Sequence, residues 1–489
     1  MKTINLFSNR ARRTGAALCL LAITSLLATA QVAAGASPEE LLEQGLYSEQ
    51  TKGDVDAAMK LYQQVVAEAK AGQAVAAQAQ YRLGMCYHKK KNYAEATAAF
   101  EKVIRDYPEQ KDLIALASKY LSGAMPLLAA PWVDGEEMQL DIRFPSGVKI
   151  GAATYRVHAG ETNGQKIWRL RSQLYAGVRQ ASQVEVEADS FKPLHCRWKH
   201  SLIGDVDVVY SPGYAELRSV GKDDVKKIDL NCVVYDNEEV VQLMRRLPLA
   251  PDYKTTLRIL TGLGGGNIIS LEVKVAGQEK VEVPAGTFDC YKVELSLVHQ
   301  TFWYSTDAHH YVVKFEGGGV VGELSQVTQR KPEEPVEYRD PALGFSLTAP
   351  ADWMFHRSEV KDDKDQTRVV ILDPDAIAIT TVDVGSRKLL RPEAQKSLRT
   401  WAKQEVAKSE GRSKTLKIRP ESWKVRPVAD CPALSVVADF EEGKEKKVGY
   451  SVFTLGNSNT AVFSLYAPAK DFEAFQPKFD AIVDSYKEK

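Results

Sequence analysis

One short segment brings together the side chain types that hydrolysis uses. Ser305, Asp307, His309 and His310 supply a hydroxyl, a carboxylate and two imidazoles. A hydrolase triad takes its nucleophile, base and orienting acid from separate loops that converge within hydrogen-bonding reach. One strand and its turn cannot readily supply all three, and the chain has no Gly-x-Ser-x-Gly turn to expose a serine. We predict that Asp307 shapes a turn here and that the segment is not catalytic.

Metal and nucleotide chemistry have weaker signals. His195-Cys196 with His200, and the pair at 309–310, lack the ligand spacing of a structural zinc site. The glycine-rich run 262–267 has no phosphate-loop lysine and precedes a strand instead of opening a helix. The sequence therefore predicts no catalytic, cofactor-binding or metal-ligating residues, no cofactor, and a protein that is not an enzyme.

Composition sets the class of protein. The 489 residues fit about three domains, and 64 basic residues balance 64 acidic ones. No basic stripe stands out, so a nucleic-acid partner is not expected.

The N-terminus has the pattern of a secretory signal peptide. A basic start with Arg12 and Arg13 precedes the apolar run 16–27, and small residues then offer cleavage sites up to residue 36. The apolar run is short for a membrane span, although an uncleaved anchor is the alternative. We predict a signal peptide at 1–36, export to the periplasm or cell envelope, and no transmembrane segment after cleavage.

Five cysteines remain after the predicted cleavage, an odd number without a Cys-x-x-Cys pair. Export permits disulfides. The pair to test first is Cys196 with Cys232 or with Cys290. The five cysteines are Cys86, Cys196, Cys232, Cys290 and Cys431.

Residues 37–125 have the periodicity of paired helices. Ala58-x-x-x-Tyr62 recurs as Ala96-x-x-x-Phe100, and Gly84 stands where two paired helices would approach closely. This pattern resembles the tetratricopeptide repeat, whose small residues admit the large side chains of the partner helix.

In such repeats the first helix of each pair lines a concave face. Here that helix would present Tyr81, Met85, His88 and Lys89, which we predict as partner-binding residues. The alternative is a short helical stub that packs on the next domain or on another copy, because a self-sufficient array usually needs three repeats.

From about residue 131 the period of the apolar residues changes from helical to two, as in Met138, Leu140 and Ile142. Many short strands with hairpin-length connections predict an antiparallel β-barrel or an open, curved sheet at 126–330. A turn is predicted at 276–278 and a helical insertion at 237–249.

Two segments within this region, 283–293 and 303–307, precede Val312-Val313-Lys314-Phe315 and a glycine turn. Together they resemble a family of exported bacterial β-domains, domain of unknown function 3108. The resemblance implies a curved sheet related in shape to periplasmic lipoprotein or lipid carriers, without established catalytic residues. Such a sheet holds an apolar ligand if side chains do not fill its inner face.

The Pro- and Glu-rich run 331–337 predicts a linker, and residues 338–489 a third domain. Strands, a helix at 392–408 and a final helix at 471–486 follow the linker. The opening at 344–353 and the terminal Phe479-Asp480-x-Ile482-Val483 resemble the PsbP-like α/β sandwich. Members of that fold mostly bind other proteins or assist their assembly.

Three functions are consistent with these modules. The first is a non-enzymatic exported binding or scaffold protein, with helical repeats for a protein partner and a β-domain for a lipid or other apolar ligand. The second is an envelope hydrolase or carbohydrate-active enzyme with an unrecognised site. The third is a purely structural envelope protein. We predict the first, because the modules use packing residues and show no spaced catalytic constellation.

Overall fold

A computed structural model describes most of the chain from Ala36 to Glu488. The chain divides into two compact units, with the boundary between Ser118 and Lys119. The predicted signal peptide lies outside the described residues, apart from its last position. The described residues are 36–68, 72–90, 92–121, 127–219, 224–230, 233–262, 265–296, 300–358, 365–390, 392, 397–412, 415–429, 431–443 and 445–488.

The first unit consists of helices. At its start, the Ser37 hydroxyl accepts a hydrogen bond from the Glu40 amide, and the Glu40 carboxylate accepts one from the Ser37 amide. This reciprocal cap fixes the point where the first helix begins. The helices are α1 (Pro38–Gln50), α2 (Val55–Ala67), α3 (Gln73–Lys89), α4 (Tyr93–Asp106) and α5 (Lys111–Leu121).

Two glycines set the distance between the paired helices. A Cβ at Gly84 would lie 2.6 Å from the ring of Phe100, and one at Gly45 would lie 2.5 Å from the ring of Tyr62. Both rings are fully buried. The predicted small-to-large packing is therefore present in both helix pairs, including the first, where the glycine is displaced by one position relative to its aromatic partner.

The second unit begins with a single sheet of fifteen strands. Its order is linear, β8-β7-β6-β5-β4-β3-β2-β1-β15-β14-β13-β12-β11-β10-β9, and all pairs are antiparallel except β9 with β10. The strands are β1 (Glu136–Arg143), β2 (Lys149–Thr162), β3 (Gln165–Tyr175), β4 (Arg179–Glu187), β5 (Pro193–His200), β6 (Gly204–Ser211), β7 (Tyr214–Ser219), β8 (Val225–Asp229), β9 (Tyr235–Asp236), β10 (Lys254–Thr261), β11 (Asn267–Val283), β12 (Gly286–Leu295), β13 (Gln300–Ser305), β14 (Val312–Gly317) and β15 (Val320–Gln329).

Of the two predicted forms, the sheet takes the open, curved one. Curvature brings the far strands together through side chains: Lys226 of β8 donates to the carbonyl of Gly265, 2.5 Å away, in the loop between β10 and β11. Strands β8 and β9 stand at the two ends of the order, and no backbone ladder joins them among the described strands.

Glycines form a hairpin turn at one predicted position but not at another. Gly318 and Gly319 both have positive φ, 62° and 79°, which suits the two-residue turn between β14 and β15. The predicted turn at 276–278 is wrong. Strand β11 runs through it, and a register shift between Val275 and Gly277 absorbs the extra residue as a bulge.

A short helical insertion packs against the inner face of this sheet. It consists of a 3₁₀ helix (Asn237–Glu239) and α6 (Val240–Arg245), within the predicted range 237–249. Leu243 and Met244 are fully buried among the strand side chains, in one continuous apolar core. The insertion therefore closes part of the concave side.

The chain continues into a smaller antiparallel region with helices on both faces. Strands β16 (Val336–Asp340), β17 (Phe345–Ala349) and β26 (Lys487–Glu488) form one sheet. The larger sheet has the order β18-β19-β20-β25-β24-β23-β21, with β22 paired to β23. Its strands are β18 (Met354–Ser358), β19 (Gln366–Leu372), β20 (Ile379–Ser386), β21 (Lys417–Ile418), β22 (Lys424–Val428), β23 (Cys431–Glu442), β24 (Glu445–Leu455) and β25 (Asn459–Pro468).

Alternating residues of β24 separate the two helix-packing faces. Val448 and Val452 join α8 (Phe472–Asp484) in one core, and Phe453 joins Trp401 of α7 (Leu398–Arg412) in another. A second 3₁₀ helix covers Arg387–Leu389. The α/β sandwich architecture predicted for this region is present. Helix α7 begins later than predicted, and most residues from 391 to 396 are outside the described part of the chain.

The two β-regions of this unit meet through a small apolar cluster and through polar side chains. Arg156 of β2 donates to the carbonyl of Trp353, 3.1 Å away, and Arg171 pairs with the Asp352 carboxylate at 3.0 Å. Gln173 donates to the carbonyl of Asp373 at 2.9 Å. These contacts fix the start of β18 against β2 and β3.

Two further predictions concern cysteines and membrane spans. Cys196 and Cys290 are buried free thiols, so the predicted pairing of these two is wrong, whereas Cys232 lies outside the described residues. Burial raises the pKa of the Cys290 thiol to about 12, which keeps it protonated. Among the helices that the structure describes, none is long and apolar enough to cross a membrane.

Candidate ligand-binding cavity

The four residues predicted to bind a partner lie on the C-terminal half of α3. Tyr81 is 9% exposed and its ring contacts Phe100 with centroids 5.8 Å apart, so it belongs to the helix packing. Met85 and His88 are half-buried, and Lys89 is exposed. The helix therefore presents part of the predicted set at its surface, and their role in binding stays a prediction.

Lys89 already has an acidic partner inside the helical unit. Its ammonium lies 2.5 Å from the carboxylate of Glu49, which is 5% exposed and also accepts a hydrogen bond from Tyr62 at 2.9 Å. A buried carboxylate needs such partners, because an isolated charge is costly to remove from water. Sequence reasoning missed Glu49, since one acid on a helix gives no local sign of being buried.

The segment with hydrolase-like residues forms a closed turn. The Ser305 hydroxyl donates to Asp307 at 2.9 Å and accepts from the Tyr311 amide at 2.8 Å. Asp307 also accepts from the amide of His309, and Ser305 is 1% exposed. Asp307 thus shapes the turn as predicted, and these hydrogen bonds already engage the serine hydroxyl.

The histidine pair in this turn anchors α6. Arg245, at the end of α6, is fully buried and donates to the carbonyls of His309 and His310 at 2.8 and 3.1 Å. It also donates to Glu136 of β1 at 2.7 Å and to Gln242 at 2.9 Å. One guanidinium therefore ties the inner helix to β1 and to the turn after β13.

A cavity of about 410 Å³ lies on the concave side, next to α6. Strands from both halves of the sheet form its wall, and apolar side chains such as Ile259, Leu271 and Phe302 dominate it. Val240 and Val241 of α6 contribute from the other side. The interior is therefore not filled by side chains, the condition on which the predicted apolar ligand depends.

Polar residues also line this cavity. They are Ser172, Gln173, Gln180, Asn237, Glu238 and Gln300. An apolar cavity with a few convergent polar groups is the usual form of a small-molecule site, in which the polar groups orient the ligand.

Glu238 is the acid among these polar residues, and its surroundings disfavour the charged form. Its side chain is half-buried, accepts from Asn237 at 3.0 Å, and lies within hydrogen-bonding reach of Ser182 and Gln180. Burial, and then the nearby Asp236, raise the pKa of Glu238 to about 7. It therefore titrates close to neutral pH.

Two more acids flank Glu238. Asp236 accepts from Tyr210 at 2.6 Å and from the Glu238 amide at 2.9 Å, and Glu239 caps the Asp236 amide at 3.0 Å. Burial raises the pKa of Asp236, and burial followed by the charge of Asp236 raises the pKa of Glu239 well above its usual range. Sequence reasoning recognised the helix here but missed these acids, which resemble an ordinary helix cap.

The histidines considered for metal binding are apart from this cavity. His195 contacts Asp207 at 2.9 Å on neighbouring strands. Across the described part of the chain, no group of three or more His, Cys, Asp or Glu side chains is placed to hold a metal ion.

Comparison with known families identifies two segments. Residues 138–325 match the family described as a protein of unknown function, DUF3108. This DUF3108 match extends from β1 to β15 and so includes the cavity wall. Residues 78–109 match the tetratricopeptide repeat, which covers most of α3 and all of α4. The tetratricopeptide-repeat and DUF3108 resemblances seen in the sequence are thereby confirmed, and neither description names a reaction.

Solved structures add three similarities, and no curated protein matched the chain. The cyanobacterial PsbP (CyanoP) of Synechocystis sp. PCC 6803 is 12% identical, with a TM-score of 0.27 over 33% of this chain and 95% of that chain. A protein with a YmcC-like fold from Bacteroides fragilis is 15% identical, with a TM-score of 0.18 over 42% of this chain and 100% of that chain. LpqN of Mycobacterium tuberculosis, involved in cell envelope biogenesis, is 13% identical, with a TM-score of 0.21 over 32% and 89%. These values are too low to support a functional conclusion.

Proposed function

We propose that this chain is a non-enzymatic, exported cell-envelope binding or scaffold protein whose curved sheet holds an apolar ligand. The observation that carries the proposal is the cavity of about 410 Å³ on the concave side of the sheet. Its volume falls within the range of about 300–1,000 Å³ that is usual for ligand sites. Its mostly apolar wall with a few polar residues has the chemistry of an amphiphile site.

The absence of catalysis is part of the proposal. Ser305 is 1% exposed and is hydrogen-bonded within its own turn, so it is not presented to a substrate. The buried acids near the cavity are held by Tyr210, by Asn237 and by backbone amides. These contacts support a binding role over a hydrolytic one.

Export to the periplasm or cell envelope rests on the sequence at 1–36. Its basic start, apolar run and small residues follow the order of a secretory signal.

A protein partner at the helical repeats is the second part of the proposed function. The tetratricopeptide-repeat match supports it, and Met85 and His88 are the predicted groove residues best placed to contribute. The matching test is a pull-down with Met85→Ala and His88→Ala against Lys60→Ala, an exposed position on α2. Loss of a partner in the first two variants alone supports the groove, and an unchanged set of partners contradicts it.

The ligand itself is tested by native mass spectrometry of the protein purified from its own periplasm, followed by lipid extraction. Leu174→Trp should fill part of the cavity and abolish the bound mass, because Leu174 lines the wall. Val209→Trp is the control, since Val209 is 39% exposed and does not line the cavity. A protein that carries no ligand, and takes up none when offered amphiphiles, would contradict the proposal.

A further inference from the structure

The charge of the cavity wall restricts the ligand that it can hold. Among the described residues that line it, Glu238 carries the one acidic side chain, and none is lysine, arginine or histidine. The remaining polar lining groups are amides and hydroxyls. A ligand in this cavity therefore meets a single titratable carboxyl group and, within that described lining, no cation.

The Glu238 carboxylate has acceptor capacity left for a ligand. It accepts from the Asn237 amide group at 3.0 Å and lies within reach of Ser182 and Gln180. A carboxylate offers about four acceptor positions on its two oxygens. Its side chain is half-buried at the cavity wall, so a donor that enters the cavity can use what remains.

We propose that the cavity binds an amphiphile with one hydrocarbon chain and a primary ammonium head, and that Glu238 pairs with this head. This inference rests on the proposed function, because it specifies the ligand of the same cavity. An ammonium supplies a positive charge and further hydrogen-bond donors to this partly buried carboxylate.

Anionic amphiphiles fit less well. A fatty-acid carboxylate or a phosphate head would lie near Glu238 without a counter-charge from the described lining, and like charges at short distance disfavour each other. A surface pocket that shares Leu295 and Gln300 with the cavity adds one cation, Lys274, and two acids, Glu272 and Glu294. The charge balance of this neighbouring pocket is acidic as well, which also favours a cation over an anion.

The preference of the cavity for an ammonium head should weaken as the pH falls. Only ionised Glu238 forms an ion pair with an ammonium. With a pKa of about 7, Glu238 is ionised in roughly one thirtieth of the molecules at pH 5.5 and in most of them at pH 8. An alkylammonium head, like lysine, stays charged over this range. Amine affinity should therefore fall by up to about thirtyfold from pH 8 to pH 5.5.

Other titratable groups face Glu238 from neighbouring elements. Tyr155 of β2 and Cys196 of β5 feel its charge, and burial raises the pKa of each further above this pH range, so both stay neutral. Asp236 and Glu239 lie on the same segment, and burial raises the pKa of both. A raised pKa makes each of these acids easier to protonate as the pH falls, and such protonation acts in the same direction as that of Glu238.

The test compares three probes of equal chain length on the purified chain: dodecylamine, dodecanol and dodecanoate. Binding is measured by isothermal titration calorimetry at pH 8 and at pH 5.5, for the wild type and for Glu238→Gln. At pH 8 dodecylamine should bind at least about tenfold more tightly than either other probe, since hydrogen bonds to charged groups contribute that much. Glu238→Gln should remove this advantage of dodecylamine over the other two probes.

Each outcome decides between the two proposals. Binding of dodecanol and dodecanoate at least as tight as that of dodecylamine, or an amine preference that survives in Glu238→Gln, overturns the ammonium inference and leaves the proposed function standing. Binding of none of the three overturns both. The fall of wild-type amine affinity between pH 8 and pH 5.5 needs no variant, so it decides the inference even if Glu238→Gln fails to fold.

Discussion

Replacing Arg245 with methionine should destabilise the second unit strongly. Methionine keeps a long flexible side chain but removes the donors to Glu136, Gln242 and the carbonyls of His309 and His310. Glu136 is 5% exposed, so its carboxylate would remain buried without this partner. Breaking a buried ion pair from one side typically costs about 3–5 kcal/mol of unfolding free energy.

Tryptophan fluorescence during urea unfolding isolates this effect. All seven tryptophans lie in the second unit, so their emission does not report on the helical unit. They are Trp132, Trp168, Trp198, Trp303, Trp353, Trp401 and Trp423.

Arg419→Met provides the control. Arg419 pairs with Asp439 at 2.7 Å, but both side chains are about half exposed, so the expected cost is about 0–1 kcal/mol. Adding Glu136→Gln to Arg245→Met should recover about 1–3 kcal/mol, because the uncompensated charge disappears. If Arg245→Met costs no more than Arg419→Met, Arg245 is not the anchor of α6 that its contacts indicate.

Three further predictions test other parts of the fold. Gly84→Ala should destabilise the helical unit by about 1–3 kcal/mol, because the added methyl would lie 2.6 Å from the ring of Phe100. Thermal melting followed by circular dichroism measures this change. Gly411→Ala, whose added methyl would have nothing within 4 Å, should be nearly neutral. Burial, then the charge of a nearby lysine, lower the pKa of His356 to about 4, below about 6.5 in the unfolded chain. The unfolded chain then binds a proton that the folded chain does not, so stability is full above pH 6.5 and falls by about 3 kcal/mol towards pH 4; urea midpoints against pH should flatten in His356→Asn. Cys290 should resist a thiol reagent at pH 8 until urea unfolds the chain, and rapid labelling of the native protein would contradict its burial.

The helical unit was predictable because the residues that pair its helices lie close together in the sequence. Gly84 and Phe100, like Gly45 and Tyr62, are small and large residues at a nearly constant spacing. That spacing suffices to pair the helices. The burial of Glu49 was not predictable in the same way, because it depends on partners from two other helices.

The strands followed from alternation, and the errors came from turn residues. Ala276-Gly277-Gln278 reads as a turn, yet β11 continues and accommodates the extra residue as a bulge. A local motif cannot distinguish these outcomes, because the choice depends on how β12 pairs across the same positions.

The sequence could predict a ligand cavity only on the condition that side chains leave the inner face of the sheet unfilled. The sequence indicates a curved sheet, but the space inside it depends on side chains from strands as distant in sequence as β2 and β14. Glu238 has the local pattern of a helix-capping acid, and only the assembled wall gives it a raised pKa and a place beside a cavity.

The pairing of β1 with β15 bears on when this region can fold. Ser325 of β15 donates to the carbonyl of Gln139 in β1, at a sequence separation of 186. Contacts of such long sequence separation carry a large loop-closure cost and slow folding. The pairing of β1 with β15 must wait until the last strand has been synthesised, although β1 can pair with β2 before that. Such a delay would suit a chain that crosses a membrane before it folds, as the proposed export requires.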